Sequence, residues 1–200
     1  MAIPSRLPAV LAAALVLAVA SGPAPAGEME WKMLLEQANL HVQRGSLQQA
    51  ELFAREAIAE AERSFGPKHR ALDQSIATLG LVLRFAQRYP EAEKEYRRAL
   101  ALREKALGPG DPQTAILLNN LADVVQAQKK FAEAEKLHRR VLAVFEKAYG
   151  DDPKTAASLN NLGAAIQAQG RHAEAEPVLR RSLAMKEKTL GPNSPSVAHT

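Results

Sequence analysis

Four glycines, Gly66, Gly108, Gly150 and Gly191, close four similar stretches of chain at steps of 42, 42 and 41 residues. Inside the third stretch run Leu118-Asn119-Asn120-Leu121-Ala122 and Phe131-Ala132-Glu133-Ala134-Glu135. The fourth returns them as Leu159-Asn160-Asn161-Leu162-Gly163 and His172-Ala173-Glu174-Ala175-Glu176. Looser copies stand upstream, at Ile76-Ala77-Thr78-Leu79-Gly80 with Tyr89-Pro90-Glu91-Ala92-Glu93, and at Leu34-Leu35-Glu36-Gln37-Ala38 with Leu47-Gln48-Gln49-Ala50-Glu51. A period of this length means stacked supersecondary units, each burying its apolar face only against its neighbours.

The units are helical. Aromatic residues make up only 4% of the chain while Ala and Leu abound, a composition that favours helices and starves strands. The first pair of helices is expected over Glu28 to Gln43 and Leu47 to Ser64, with Gly45 taking the left-handed turn between them. In the second unit a helix over Ala71 to Gln87 leads into one opened by Pro90. Asp111-Pro112 and Asp152-Pro153 open the third and fourth units, the carboxylate capping free amides and the proline presetting the first turn. First helices set the small residues Ala38, Gly80, Ala122 and Gly163 at one level. Second helices set Ala50, Ala92, Ala134 and Ala175 at one level, Ala54, Tyr96, His138 and Leu179 one turn later, and Ala57, Ala99, Val141 and Ser182 after that. Small residues at the crossing and larger ones one turn away describe antiparallel helix pairs packed ridge into groove.

This spacing resembles the tetratricopeptide repeat, and the 42-residue step with its L-N-N-L-A and R-R-x-L phrases is similar to the long repeats of the kinesin light chain type. The resemblance spans Glu28 to Gly191 and is weakest in the first unit, where Gln37 replaces the usual leucine and no Asn pair is present. It implies an all-α, right-handed α-solenoid of antiparallel helix pairs with about four repeats, over 28–67, 71–109, 112–151 and 153–192, and a stub of a fifth at 194–200. It also implies a concave face lined by first helices, with Asn119, Asn120, Asp123 and Gln126 of the third unit and Asn160, Asn161 and Gln167 of the fourth on or beside it. Asparagines offer donor and acceptor together, so a column of them can hold the main chain of an extended peptide. The competing reading is that they cap or cross-link helices. Arg84 and Phe85, in a unit whose groove positions are otherwise mostly apolar, would anchor an acidic or aromatic peptide side chain, or only pack.

The first 26 residues carry a separate instruction. One positive charge before Leu7, an apolar run of about 14 residues to Ala20 and small residues with Pro23 and Pro25 make the three-part pattern of a secretory signal peptide. The run is short of the roughly 20 residues a spanning helix needs. Cleavage is expected after Ala26, with Ala20 the alternative, giving a secreted or periplasmic protein with no integral span after cleavage. Cysteine is absent, which removes disulfides, thiolate chemistry and a lipoprotein anchor. At the other end the stub is too short to cover Val178, Leu179, Leu183 and Met185, so either self-association through this end or a chain cut short of its natural length is expected.

No catalytic, metal or cofactor site is expected. The five histidines share no spacing, and His138, three residues after Glu135, falls on a packing position. No G-x-S-x-G, H-E-x-x-H or phosphate-loop pattern occurs, and Gly108-Pro109-Gly110 is a turn between units. Net charge is +4 from 26 basic and 22 acidic residues, interleaved, which argues against a nucleic-acid partner. The pairs Arg97-Arg98, Arg139-Arg140 and Arg180-Arg181 recur as a ladder on the outer helices, either solvated or facing an acidic partner or lipid. The expected role is an exported scaffold or adaptor binding a protein or peptide in its groove. The alternative is an accessory domain of a larger secretion, envelope-assembly or signalling system whose catalysis lies in another chain.

Overall fold

A computed structural model describes residues 26–191 and residue 194. Eight helices follow one another among these residues: α1 (Ala26–Gln43), α2 (Leu47–Phe65), α3 (Arg70–Phe85), α4 (Tyr89–Leu107), α5 (Pro112–Ala127), α6 (Phe131–Tyr149), α7 (Pro153–Gln167) and α8 (His172–Leu190). Each packs on the next, giving four antiparallel pairs stacked as an α-solenoid. α1 also touches α3 and α3 touches α5, while the even-numbered helices reach one another chiefly through long ion pairs. The odd row is therefore the shorter, inner side of the arc.

Local chemistry explains where the helices begin and end. Asp111 accepts a hydrogen bond from the Gln113 amide at 2.7 Å and Asp152 from the Lys154 amide at 2.8 Å, each just ahead of a proline at the first helical position. α3 starts one residue earlier than expected because the His69 imidazole supplies its cap, Nδ1 accepting from the Ala71 amide. It stops at Phe85, short of the expected Gln87, because Gln87 takes the left-handed turn at φ 58°. The same turn is made by Gly45 at 74°, Lys129 at 63° and Gly170 at 77°, so two units place a side chain where glycine fits without strain. The leader expected over 1–26 lies outside the described residues but for Ala26, where α1 begins, and the stub expected over 194–200 lies outside them but for Ser194.

The core sets small residues of one helix against large ones of its partner. Ala50, Ala92 and Ala134 are fully buried, as are Ala57, Ala99, Val141 and Ser182 two turns on from each unit's first alanine level. A Cβ added at Gly80 would stand 3.0 Å from the Tyr96 ring, and one at Gly163 would fall inside Leu179. Tyr96 and His138 occupy the same level in successive units and are 0% and 1% exposed. Met185 departs from expectation: it is buried against Ala156 and Leu159, so of the four residues expected to lie uncovered on α8 only Val178, Leu179 and Leu183 stay partly accessible.

Neighbouring units are also fastened by charge. Glu93 accepts from Lys130 at 2.8 Å and Gln128 at 2.5 Å, both from the next unit, and from Arg97 of its own helix. Glu135 repeats this with Arg171 at 2.6 Å, Gln169 at 2.8 Å and Arg139, and Glu51 with Arg88 and Arg55. Burial alone would raise the Glu93 and Glu135 carboxyls, but the hydrogen bonds from these partners outweigh it and hold both below the ordinary carboxylate range. The expected arginine ladder is likewise spoken for. Arg98 pairs with Glu62, Arg140 with Glu104 and Arg181 with Glu146, each across a unit boundary, so the outer helices present bonded pairs and not a free basic stripe.

Candidate functional site

The inner row brings three of the expected asparagines together. Asn119 of α5 and Asn161 of α7 stand a full repeat apart in sequence, and the Asn161 amide nitrogen donates to the Asn119 side-chain oxygen at 3.0 Å. Asn120 lies beside them with no side-chain hydrogen bond among the described residues. Ile116, Phe145, Lys154, Ala157 and Ser158 complete an open cleft of 220 Å³. The cross-linking reading is thus realised between Asn119 and Asn161, yet each amide keeps unused capacity: Asn119 its NH₂ group and Asn161 its oxygen. Ile116, 48% exposed, gives the cleft an apolar floor that helical phase alone assigns to no core. Asn160 is half-buried outside this cleft, and Gln126 is half-buried on the turn beyond.

A second cluster joins residues of two units at the ends of α3 and α5. Arg84 faces Asp123 at 3.7 Å, too long for a tight pair, and its guanidinium carbon stands 5.1 Å from the centre of the Phe85 ring. With Gln87, Tyr89 and Ala127 they line a cleft of 350 Å³, and Phe85 is 52% exposed. Arg84 Nε is buried without a hydrogen-bond partner, as is the hydroxyl of Tyr96. Burial raises the Asp123 carboxyl, with the Arg84 charge opposing, and burial raises the Tyr96 phenol within electrostatic reach of both. The cluster therefore holds a loosely engaged cation, a carboxylate poorly hydrated for its charge, and an open aromatic face. Gln167 belongs to neither group; it is exposed at the far end, beside His172, Leu179 and Leu183.

Sequence reasoning passed over the first unit's contribution. Trp31 lacks an Asn pair beside it, but its indole nitrogen donates to Ser75 Oγ of α3 at 2.8 Å and its ring meets Phe65 edge-on. With Lys32, Leu35, Glu36, Asn39, Leu40, Gln43 and Gln74 it lines a recess of 570 Å³. The only tryptophan in the chain, one turn ahead of Leu35, was the available signal. Among the described residues, no three His, Asp or Glu side chains converge as a metal site would need, and no helix is long and apolar enough to cross a membrane.

Comparison with known proteins places this geometry. The sequence matches the tetratricopeptide repeat model over residues 32–105, 73–147, 113–188 and 154–200, overlapping pairs that take in all four units. Among curated proteins none matches the chain in sequence. Similar solved structures include a Podosopora anserina protein described as having nearly identical TPR-like repeats of the kinesin light chain kind, at 25% identity, covering 84% of this chain and 80% of that one with a TM-score of 0.75. BtubC (BKLC) from P. vanneervenii, at 19% identity over 86% of this chain and 68% of its own, has a TM-score of 0.77. Pseudomonas aeruginosa pilF, at 24% identity over 87% and 67%, has 0.63, and these last two speak to fold alone. With its repeats matched from Lys32 onward and its helix pairs stacked in the same manner, the chain belongs to the tetratricopeptide repeat family, whose arrays are scaffolds for protein–protein contact.

Proposed function

We propose that this is an exported, non-catalytic adaptor that holds an extended segment of a partner protein along the inner row of helices. The observation that carries the reading is the cleft around Asn119, Asn120 and Asn161, where spare amide donors and acceptors stand over the apolar Ile116. Amides bind a peptide main chain whatever its sequence, and an apolar floor gives an alternate side chain somewhere to go. Selectivity would come from the Arg84, Phe85 and Asp123 cluster one unit away, which suits an acidic or aromatic side chain. Export rests on the three-part leader pattern of residues 1–26, with cleavage after Ala26. Amino-terminal sequencing of the protein recovered from the periplasm or medium tests that part directly.

The groove is tested by recovering the proteins that co-purify from the exported fraction, then repeating the capture with Asn120→Ala plus Asn161→Ala. Loss of the partner with unchanged thermal unfolding supports the groove. Retention of the partner at wild-type affinity removes it.

A second reading concerns the chain's other contacts. It is self-association through the C-terminal end, where Leu179 and Leu183 line an open recess with Gln167 and His172.

A further inference from the structure

The bond from Asn161 to Asn119 obeys a register that the inner row repeats. Asn161 stands 42 residues beyond Asn119, one more than the 41-residue step between their units. Arg70 of α3 donates to the Gln113 side-chain oxygen of α5 at 2.9 Å, 43 residues on, again one more than the 42-residue step of that pair. Neighbouring inner helices run parallel, so seven residues, about two turns, along both α3 and α5 return to the facing stripe. From Arg70 and Gln113 that move arrives at Ala77 and Asn120. Ala77 is the repeat counterpart of Asn119 and Asn120 that of Asn161, so this is where the amide bond would recur one seam earlier.

It does not recur. The Ala77 side chain is a methyl with no oxygen to accept a hydrogen bond, and among the described residues Asn120 keeps its whole amide uncommitted, NH₂ group and oxygen alike. At the seam before, the counterparts are Leu35 and Thr78, and the Thr78 hydroxyl turns back to the Gln74 carbonyl of its own helix at 3.1 Å. The seam between α3 and α5 is thus the one that leaves an amide facing a residue unable to answer it. Asn119 and Asn161 each have one half of the amide engaged. Asn120 has both halves free on one group, and it borders the cleft floored by Ile116, which Ala77 does not line.

We propose that Ala77 is what makes Asn120 the docking amide of this array: by leaving the ladder of amide bonds open at one level, it frees a complete amide for an extended peptide. In an extended strand the N–H and C=O of one residue point to the same side, and a paired strand answers both at once. A side-chain amide with donor and acceptor both free can do the same. Asn120 therefore holds one residue of the partner's main chain by two hydrogen bonds, and the side chains alternate to either face, one of them toward the half-exposed Ile116. The inference rests on the groove reading above and assigns it a single seat. Ala77 acts through Asn120 and is a positioning residue. An asparagine at 77 would supply the missing acceptor, draw the Asn120 amide across to α3 and take it out of the cleft with every cleft residue unchanged.

Fluorescence polarisation with a labelled octapeptide of alternating alanine and aspartate tests this, with thermal melts to verify the folding of each variant. The peptide offers a plain extended main chain and the acidic side chains that suit Arg84. Ala77→Asn and Asn120→Ala should each weaken binding by about threefold to tenfold, and the two together should bind no more weakly than Asn120→Ala alone. Ala77→Leu, which has the branching of asparagine without its oxygen, should stay within about twofold of the wild type. Equal weakening by Ala77→Leu and Ala77→Asn means that bulk at 77 matters and not an acceptor, and overturns the proposal. Wild-type binding by both Ala77→Asn and Asn120→Ala overturns it too, and leaves the groove standing if Asn120→Ala plus Asn161→Ala has lost the peptide. If that double variant also binds as the wild type does, the groove reading falls with it. No polarisation change for the wild type up to about 1 mM peptide overturns the single seat, because an amide that answers main chain needs no particular sequence; the groove is then decided by the co-purified partner.

Discussion

Replacing His138 by leucine should remove a specific part of the protein's acid sensitivity. The imidazole is 1% exposed, its Nδ1 has no hydrogen-bond partner, and burial alone pushes its pKa from 6.5 down to about 4. In the unfolded chain it titrates near its ordinary value, so between pH 6.5 and 4 the unfolded state binds the proton that the folded state refuses. The folded state is therefore fully favoured above about pH 6.5 and loses stability as pH falls toward 4. At pH 4.5 the difference amounts to about 2.5 kcal/mol, since each tenfold difference in proton affinity between the two states is worth about 1.36 kcal/mol. Leu179 fills the same position in the fourth unit only because Gly163 leaves it room that the Ala122 methyl takes up in the third, so leucine carries a packing cost here; that cost is the same at both pH values and cancels from the difference. Urea unfolding of both proteins at pH 7.5 and 4.5 reads the effect. The wild-type chain should lose about 2.5 kcal/mol more than His138→Leu over that interval. Carboxylates such as Glu93 and Glu135, held low in the folded state, contribute stability that is lost only as pH falls below about 4.5, and both proteins share that loss. Parallel losses in the two proteins would refute the account of a neutral, desolvated imidazole.

Further outcomes follow from the packing and the charge fastenings. Gly80→Ala gains helix propensity but drives a methyl to within 3.0 Å of the buried Tyr96 ring, so a net destabilisation of about 1–2 kcal/mol is expected by chemical denaturation. Glu135→Ala should cost about 1–2 kcal/mol because it strips Arg171 and Gln169 of their acceptor across a unit boundary, whereas Glu176→Ala, at the equivalent position, should stay within about 0.5 kcal/mol. Equal costs would show that the cross-unit partners add nothing. Lys129→Gly, which relieves a side chain at φ 63° and copies the Gly170 turn of the next unit, should raise the melting temperature by the equivalent of about 0.5–1 kcal/mol. An unchanged or lower melting temperature would mean that Lys129 is held there by contacts worth more than the strain.

The sequence alone determined the period, the helix pairs and the levels at which small residues recur. These depend on spacing within one unit and its repetition: Ala50, Ala92 and Ala134 return every 42 residues, and Asp111 caps the amide two residues on. Which unit's side chain meets which was decided only by the tertiary structure. Nothing in the repeat says that Asn161 bonds Asn119 and not Asn120, or that Arg84 leans toward Asp123. The arginine pairs read as a basic ladder because the glutamates that neutralise them lie about 36 residues away, an offset shorter than the repeat itself. That offset is set by the rise of one helix pair over the last and the angle at which helices cross. Both come from three-dimensional packing, to which a hydrophobic period of 3.6 and a repeat of 42 are blind.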